Sequence, residues 1–203
     1  PAGEGEPPYF TSILAINDAG EVTGAYDKWR LVPGGEFLPF ESLLSRIGFR
    51  KVVSLPESFT AGKGPSNLQL PGIGAAGALI CYEVIFPYAL VAEVRPRLLV
   101  NVTNDGWFGL STGPHQHLAQ ARLRSIEQGL PLFRAANTGI SAVIDPFGRI
   151  LAQTQLNTRT TIDSRVPQSV DATLYARTGD LMLALLIALA GFLLRGMMIT
   201  RAA

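Results

Sequence analysis

Two runs with alternating apolar positions, Phe10–Ile16 and Val22–Tyr26, flank Asn17-Asp18-Ala19-Gly20, and this pattern predicts a β-hairpin. Ala75–Ile80 is an unbroken run of small apolar residues ending at Cys81, and Leu98–Thr103 is a second such run. Both read as strands buried on two faces. Val84–Val94 and His115–Gln128 carry helical patterns, and Phe40–Ile47 reads as a short helix. Lys51–Leu55 reads as a strand. Lys28–Pro39 and Ala61–Gly74, rich in Gly and Pro, read as loops. Leu132–Ala136, Ser141–Ile144 and Arg149–Thr154 read as strands, joined by turns at Asn137-Thr138-Gly139 and Asp145-Pro146-Phe147-Gly148. Strands and helices are mixed without an internal repeat, which predicts an α/β sandwich.

Composition adds one feature. Of 203 residues, 47% are hydrophobic and only 16% charged, against about 25% charged in an average soluble domain. The surplus lies at the C-terminus, where Leu181–Leu194 carries no charge and no polar face. With Arg195 snorkelling and the run continuing to Thr200, this segment is expected to be a transmembrane helix. Arg195 and Arg201 at its far end place that end in the cytoplasm and everything before Asp180 across the membrane. The expected division is a catalytic domain over residues 1–178 and a membrane helix with a short tail over 179–203. The first eight residues, Pro1-Ala2-Gly3-Glu4-Gly5-Glu6-Pro7-Pro8, lack the basic and apolar regions of a signal peptide and read as a flexible entry or as a cut end.

A net charge of +1 argues against nucleic acid as a partner. The single cysteine excludes an internal disulfide and a cysteine-rich zinc site. His115 and His117 form an H-x-H pair with no third ligand at a recognisable spacing, so no metal and no cofactor are expected. Gly72-Ile73-Gly74-Ala75-Ala76-Gly77 has the form of a dinucleotide fingerprint but runs into a strand instead of a helix. Asn101-Val102-Thr103 has the form of a glycosylation acceptor but sits in an apolar strand.

Cys81 carries the candidate chemistry. It stands where a buried strand gives way to an expected helix, with Tyr82 and Glu83 next in the chain. That placement presents a thiol at the carboxyl edge of a sheet, beside the free N–H groups and positive potential of a helix start. The Tyr82 N–H is placed to receive an oxyanion. By itself a lone cysteine also fits inert core.

The surrounding motifs bear on that choice. Tyr26-Asp27-Lys28 ends a strand, Glu36 follows Pro33-Gly34-Gly35, Cys81-Tyr82-Glu83 follows the next apolar strand, and Asn104-Asp105-Gly106-Trp107-Phe108-Gly109 the one after. This order resembles the nitrilase, or carbon-nitrogen hydrolase, superfamily. Together with Leu31-Val32-Pro33, Gly113-Pro114, Gln116-His117, Asn137-Thr138-Gly139-Ile140 and Tyr175-Ala176-Arg177-Thr178-Gly179, it resembles the apolipoprotein N-acyltransferase family from about Tyr26 to the C-terminus.

The resemblance implies a four-layer α-β-β-α sandwich and a ping-pong acyl transfer at the bacterial inner membrane, on its periplasmic side. Cys81 would take an acyl chain from a phospholipid as a thioester. The α-amine of a diacylglyceryl-cysteine at a lipoprotein N-terminus would then accept it. Lys28, with the Tyr82 N–H, would stabilise the oxyanion, and Glu36 and Glu83 would support the lysine and the thiol. In that family a general-base glutamate lies on a strand upstream of the lysine, and several membrane helices come before the domain. Glu4, Glu6 and Glu57 do not match that base in context or order, and Gly34 stands where the family has an aromatic residue. The expectation is therefore the C-terminal part of a longer protein, impaired by itself, since a general base is worth about 10² to 10⁴ in rate. Two rivals are a membrane-tethered amidase that uses water as acceptor and a remnant without activity.

Overall fold

A computed structural model of the chain describes residues 9–40, 59–87 and 91–202, with side chains as far as Leu194. The N-terminal hairpin forms as its turn residues dictate: β1 (Ser12–Ile16) pairs antiparallel with β2 (Val22–Asp27). Six further strands make one mixed sheet in simple sequential order. They are β3 (Asn67–Leu70), β4 (Gly74–Ile80), β5 (Leu98–Asn104), β6 (Leu132–Asn137), β7 (Ala142–Ile144) and β8 (Ile150–Gln153). The central strands β4, β5 and β6 run parallel, and the outer pairings are antiparallel. Parallel strands need cover on both faces, which accounts for the unbroken apolar runs of β4 and β5.

Alternation along β4 divides the core. Leu79 faces one side and packs with Leu99, Leu118, Ala121, Leu130, Leu132 and Ile144, beneath helix α1 (Gly113–Gln128). Ala78 and Ile80 face the other side and pack with Ala15 and Tyr26 of the hairpin. The described residues thus form three layers: helix, six-stranded sheet and two-stranded hairpin. The helix read at Phe40–Ile47 falls, beyond Phe40, outside the described residues, as do the strand read at Lys51–Leu55 and Glu4, Glu6 and Glu57.

Two readings need correction. Of the helix expected over Val84–Val94, residues 88–90 lie outside the described residues, and its start is instead the end of a 3₁₀ turn, Cys81–Ile85, after which Phe86 is extended (φ −86°, ψ 131°). Pro87 disfavours a helical conformation at the residue before it, which stops the turn there. The expected helix-dipole field behind Cys81 is therefore reduced to that of one turn. The loop read over Ala61–Gly74 contains β3, an edge strand whose one buried side chain, Leu68, gives too little apolar signal to stand out.

After a short helix α2 (Leu174–Thr178), the C-terminal run is helical as α3 (Leu181–Ala202). Every side chain from Leu181 to Leu194 is exposed. Those 14 residues reach about 21 Å at 1.5 Å per residue, short of a hydrocarbon core of about 30 Å. Among the described residues no helix is long and apolar enough to cross a membrane.

Candidate functional site

β4 ends at Ile80, and Cys81 takes a positive φ of 48°. For a residue with a Cβ this left-handed conformation costs about 1–2 kcal/mol, and such strain collects where a side chain must be presented at a sharp bend. Here the bend lifts Cys81 off the sheet edge into a cavity of about 680 Å³.

Lys28 reaches the same cavity from the end of β2. Its side chain is 1% exposed, and its Nζ donates to both carboxylate oxygens of Glu36 at 2.7 Å. The intervening loop explains the reach. Gly34 adopts φ 77°, the Glu36 N–H donates to the Val32 carbonyl (2.9 Å), and the Val32 N–H returns a bond to Glu36 Oε2 (2.8 Å). The turn thereby folds the carboxylate back onto the lysine. The Lys28 backbone is tied at both ends, its N–H to the Thr11 carbonyl and its carbonyl to the Gly62 N–H, each at 2.8 Å. Gly62 passes so close that a Cβ there would lie 2.2 Å from the Asp27 carbonyl oxygen, so only glycine fits.

Glu83 is fully buried and does not line the cavity. Its Oε1 accepts from the Tyr26 hydroxyl (2.8 Å) and the N–H groups of Trp29 (2.9 Å) and Arg30 (3.2 Å), and its Oε2 from the Ile80 N–H (2.7 Å). One carboxylate thus clamps the lysine segment to the strand end that carries the cysteine. Burial, reinforced by the Glu83 charge, pushes the Tyr26 phenol far above its ordinary range and keeps it a donor. The Tyr82 ring lines the cavity and meets Phe86 edge-on at 4.9 Å. All five residues expected at the site therefore converge: Cys81, Lys28, Glu36 and Tyr82 on the cavity wall, Glu83 directly behind it.

The remaining wall is largely apolar, with Val32, Phe59, Ile85, Trp107 and Phe108, and takes three polar side chains, Gln116, His117 and Gln120, from α1. Trp107 is 67% exposed at the rim. Asn104 caps the short turn that bears these aromatics, accepting from the Gly106 N–H at 3.0 Å.

Sequence reasoning missed a buried polar cluster beneath the cysteine. His115 is exposed, but His117 falls on the buried stripe of α1 with Pro114, Leu118, Ala121 and Ser125. That 3.6-residue periodicity was the available signal. His117 Nδ1 lies 2.9 Å from Asp105 Oδ1, and Nε2 lies 3.2 Å from the Cys81 carbonyl oxygen. Arg134, on β6, donates to Asp105 Oδ2 at 2.7 Å and to the Asn101 side chain. Asn101 in turn donates to the Leu79 carbonyl, so the apparent glycosylation site is sealed in the core. Burial by itself would raise the Asp105 carboxyl, but the His117 hydrogen bond and the Arg134 charge hold it below its ordinary value. Among the described residues no group of three His, Cys, Asp or Glu side chains is placed to hold a metal ion.

Residues 3–175 match the carbon-nitrogen hydrolase family. The chain belongs to the carbon-nitrogen hydrolase family. It is 51% identical over 181 residues to an apolipoprotein N-acyltransferase of Rhodopseudomonas palustris, an alignment that covers 89% of this chain and 34% of that one. An apolipoprotein N-acyltransferase of Brucella melitensis is 46% identical over 171 residues, covering 84% of this chain and 32% of its own. The chain thus spans about a third of the length of the curated relatives it matches. A crystal structure of a carbon-nitrogen hydrolase from Helicobacter pylori shares the fold, with a TM-score of 0.53 at 19% identity over 72% of this chain and 53% of that one.

Proposed function

We propose that this chain is the acyl-carrying part of an N-acyltransferase, with Cys81 as the nucleophile. The thiolate attacks the ester carbonyl of a phospholipid. An S–C bond forms, the ester C–O bond breaks, and the departing lysophospholipid alkoxide takes a proton in place of the one the Cys81 thiol gave up, leaving as the alcohol. The α-amine of a diacylglyceryl-cysteine at a lipoprotein N-terminus then attacks the thioester. An amide N–C bond forms, the C–S bond breaks, and the amine gives up a proton as the thiol is restored. In both steps the oxyanion is held by the Lys28 ammonium and the Tyr82 N–H. Glu36 keeps the ammonium aimed and neutralised, and Glu83 fixes the two segments relative to each other.

One observation carries this reading: a buried, carboxylate-held lysine and a cysteine on a strained bend share one cavity. The apolar wall and the exposed Trp107 at its rim favour a lipid donor over the small polar substrate of an amidase. The exposed apolar face of α3 is costly in water, which favours burial of this helix in a bilayer. With its continuation to Thr200 it would serve as the anchor at the inner membrane, its Arg195 and Arg201 end cytoplasmic and the catalytic domain periplasmic.

The test supplies phospholipid labelled in its acyl chains together with a diacylglyceryl-cysteine peptide. The chain is assayed in membranes, with whatever upstream sequence its gene encodes. Label in an amide on the peptide is expected. Label released only as free fatty acid would favour the amidase reading, and no transfer of label would favour the inactive one.

A further inference from the structure

His117 is buried, with Asp105 Oδ1 (2.9 Å) and the Arg134 guanidinium (3.1 Å) at its Nδ1 and the Cys81 carbonyl oxygen at its Nε2. A carbonyl oxygen only accepts, so the 3.2 Å contact holds with the proton on His117 Nε2. The Cys81 carbonyl and the Tyr82 N–H belong to one peptide unit. A hydrogen bond accepted at one end of a peptide draws charge toward its oxygen and makes the N–H at the other end a stronger donor. The bond from His117 is itself anchored. Asp105 and Arg134 both meet the ring at Nδ1, and Arg134 also donates to Asp105.

We infer that His117 is a positioning residue that strengthens the oxyanion-binding N–H of Tyr82 by hydrogen-bonding the carbonyl of the same peptide, with Asp105 and Arg134 holding the imidazole in place. This rests on the proposed role of Cys81 as an acyl acceptor. It assigns work to a histidine on the cavity wall whose ring nitrogens are engaged by Asp105, Arg134 and the Cys81 carbonyl. It also gives the buried Asp105–Arg134 pair a purpose at the site: they fix the ring that governs the peptide beside the thiol. The same bond steadies the bend at Cys81, where φ is 48°.

Two reactions of the same thiol separate this from a merely structural role. Alkylation by iodoacetamide is a displacement at a saturated carbon and develops no oxyanion. Acylation by a p-nitrophenyl ester passes through a tetrahedral oxyanion. Both rates would be measured on the chain with whatever upstream sequence its gene encodes, for the unsubstituted protein, His117→Leu and His117→Gln. Loss of a whole oxyanion-hole donor costs about 10² to 10³ in rate, so weakening one is expected to slow acylation by about tenfold. In His117→Leu, acylation should fall by about that factor while alkylation stays within about twofold. In His117→Gln, whose amide retains an N–H, part of the acylation rate should return. The carbonyl stretch of the acyl-enzyme should move to higher wavenumber in His117→Leu, as a less polarised thioester does. Equal loss of both rates would overturn the inference in favour of a structural role, and unchanged acylation in His117→Leu would overturn it outright. Failure of the unsubstituted protein to acylate would instead remove the reading of Cys81 as acyl acceptor, and the inference with it.

Discussion

Replacing Glu36 by Gln probes the feature on which the site depends, the buried ammonium of Lys28. Lys28 is 1% exposed and Glu36 19% exposed at their side chains, and both bonds between them are 2.7 Å. Glutamine keeps one acceptor for the ammonium but removes the second and the negative charge. A hydrogen bond to a charged group contributes about 1.5–3 kcal/mol, and stripping a fully buried charge of its partner costs about 3–5 kcal/mol. The partial exposure of Glu36 lets water recover some of that loss, so Glu36→Gln should destabilise the fold by about 2–3 kcal/mol. Lys28→Met removes the charge that needs a partner, so the double variant should lose much less than the sum of the two single ones. Urea unfolding in detergent micelles, followed by the fluorescence of Trp29 and Trp107, gives the four stabilities of the cycle. A coupling energy of about 2 kcal/mol is expected. A coupling below about 0.5 kcal/mol is the behaviour of a solvated surface pair, and it would refute the claim that Glu36 exists to hold a desolvated lysine.

Two further outcomes follow from the same geometry. Cys81→Gly should be more stable than Cys81→Ala by about 1 kcal/mol in the same unfolding assay, because glycine takes the positive φ without strain; at an ordinary position the order is reversed. Asp105 titrates lower in the fold than its ordinary value of 3.8, so the unfolded chain binds more protons and the stability it contributes is present above about pH 3.8 and lost as pH falls through the lower folded value. Acid unfolding curves should therefore lose that component in Asp105→Asn.

The sequence and the structure agree where local chemistry and burial point the same way. The hairpin was legible because Asn17-Asp18-Ala19-Gly20 can hardly be anything but a turn, and β4 and β5 because a strand covered on both faces has no polar positions to interrupt it. Lys28 and Glu36 were a different matter. Each looks like a surface residue by itself, and only the order of motifs through Cys81-Tyr82-Glu83 set them at one site. The start of the helix read after Cys81 fails because the apolar spacing from Val84 outweighed Pro87, whose effect on Phe86 is local and decisive. The Asp105–His117–Arg134 cluster was hidden for a physical reason. Its three members come from a turn, a helix and a strand, and each is a polar residue whose burial is tolerated only because the others satisfy it. No short window of sequence contains that compensation.

The account stands on Cys81 becoming an acyl thioester. The direct measurement is intact mass after incubation with phospholipid in membranes, before and after neutral hydroxylamine, on the chain with whatever upstream sequence its gene encodes and on its Cys81→Ser variant. The account predicts a mass gain of one acyl chain that maps to Cys81, disappears with hydroxylamine and is replaced in Cys81→Ser by no hydroxylamine-labile adduct. An unmodified Cys81 under conditions that support transfer to a diacylglyceryl peptide, or an acyl group carried on another residue, would contradict it.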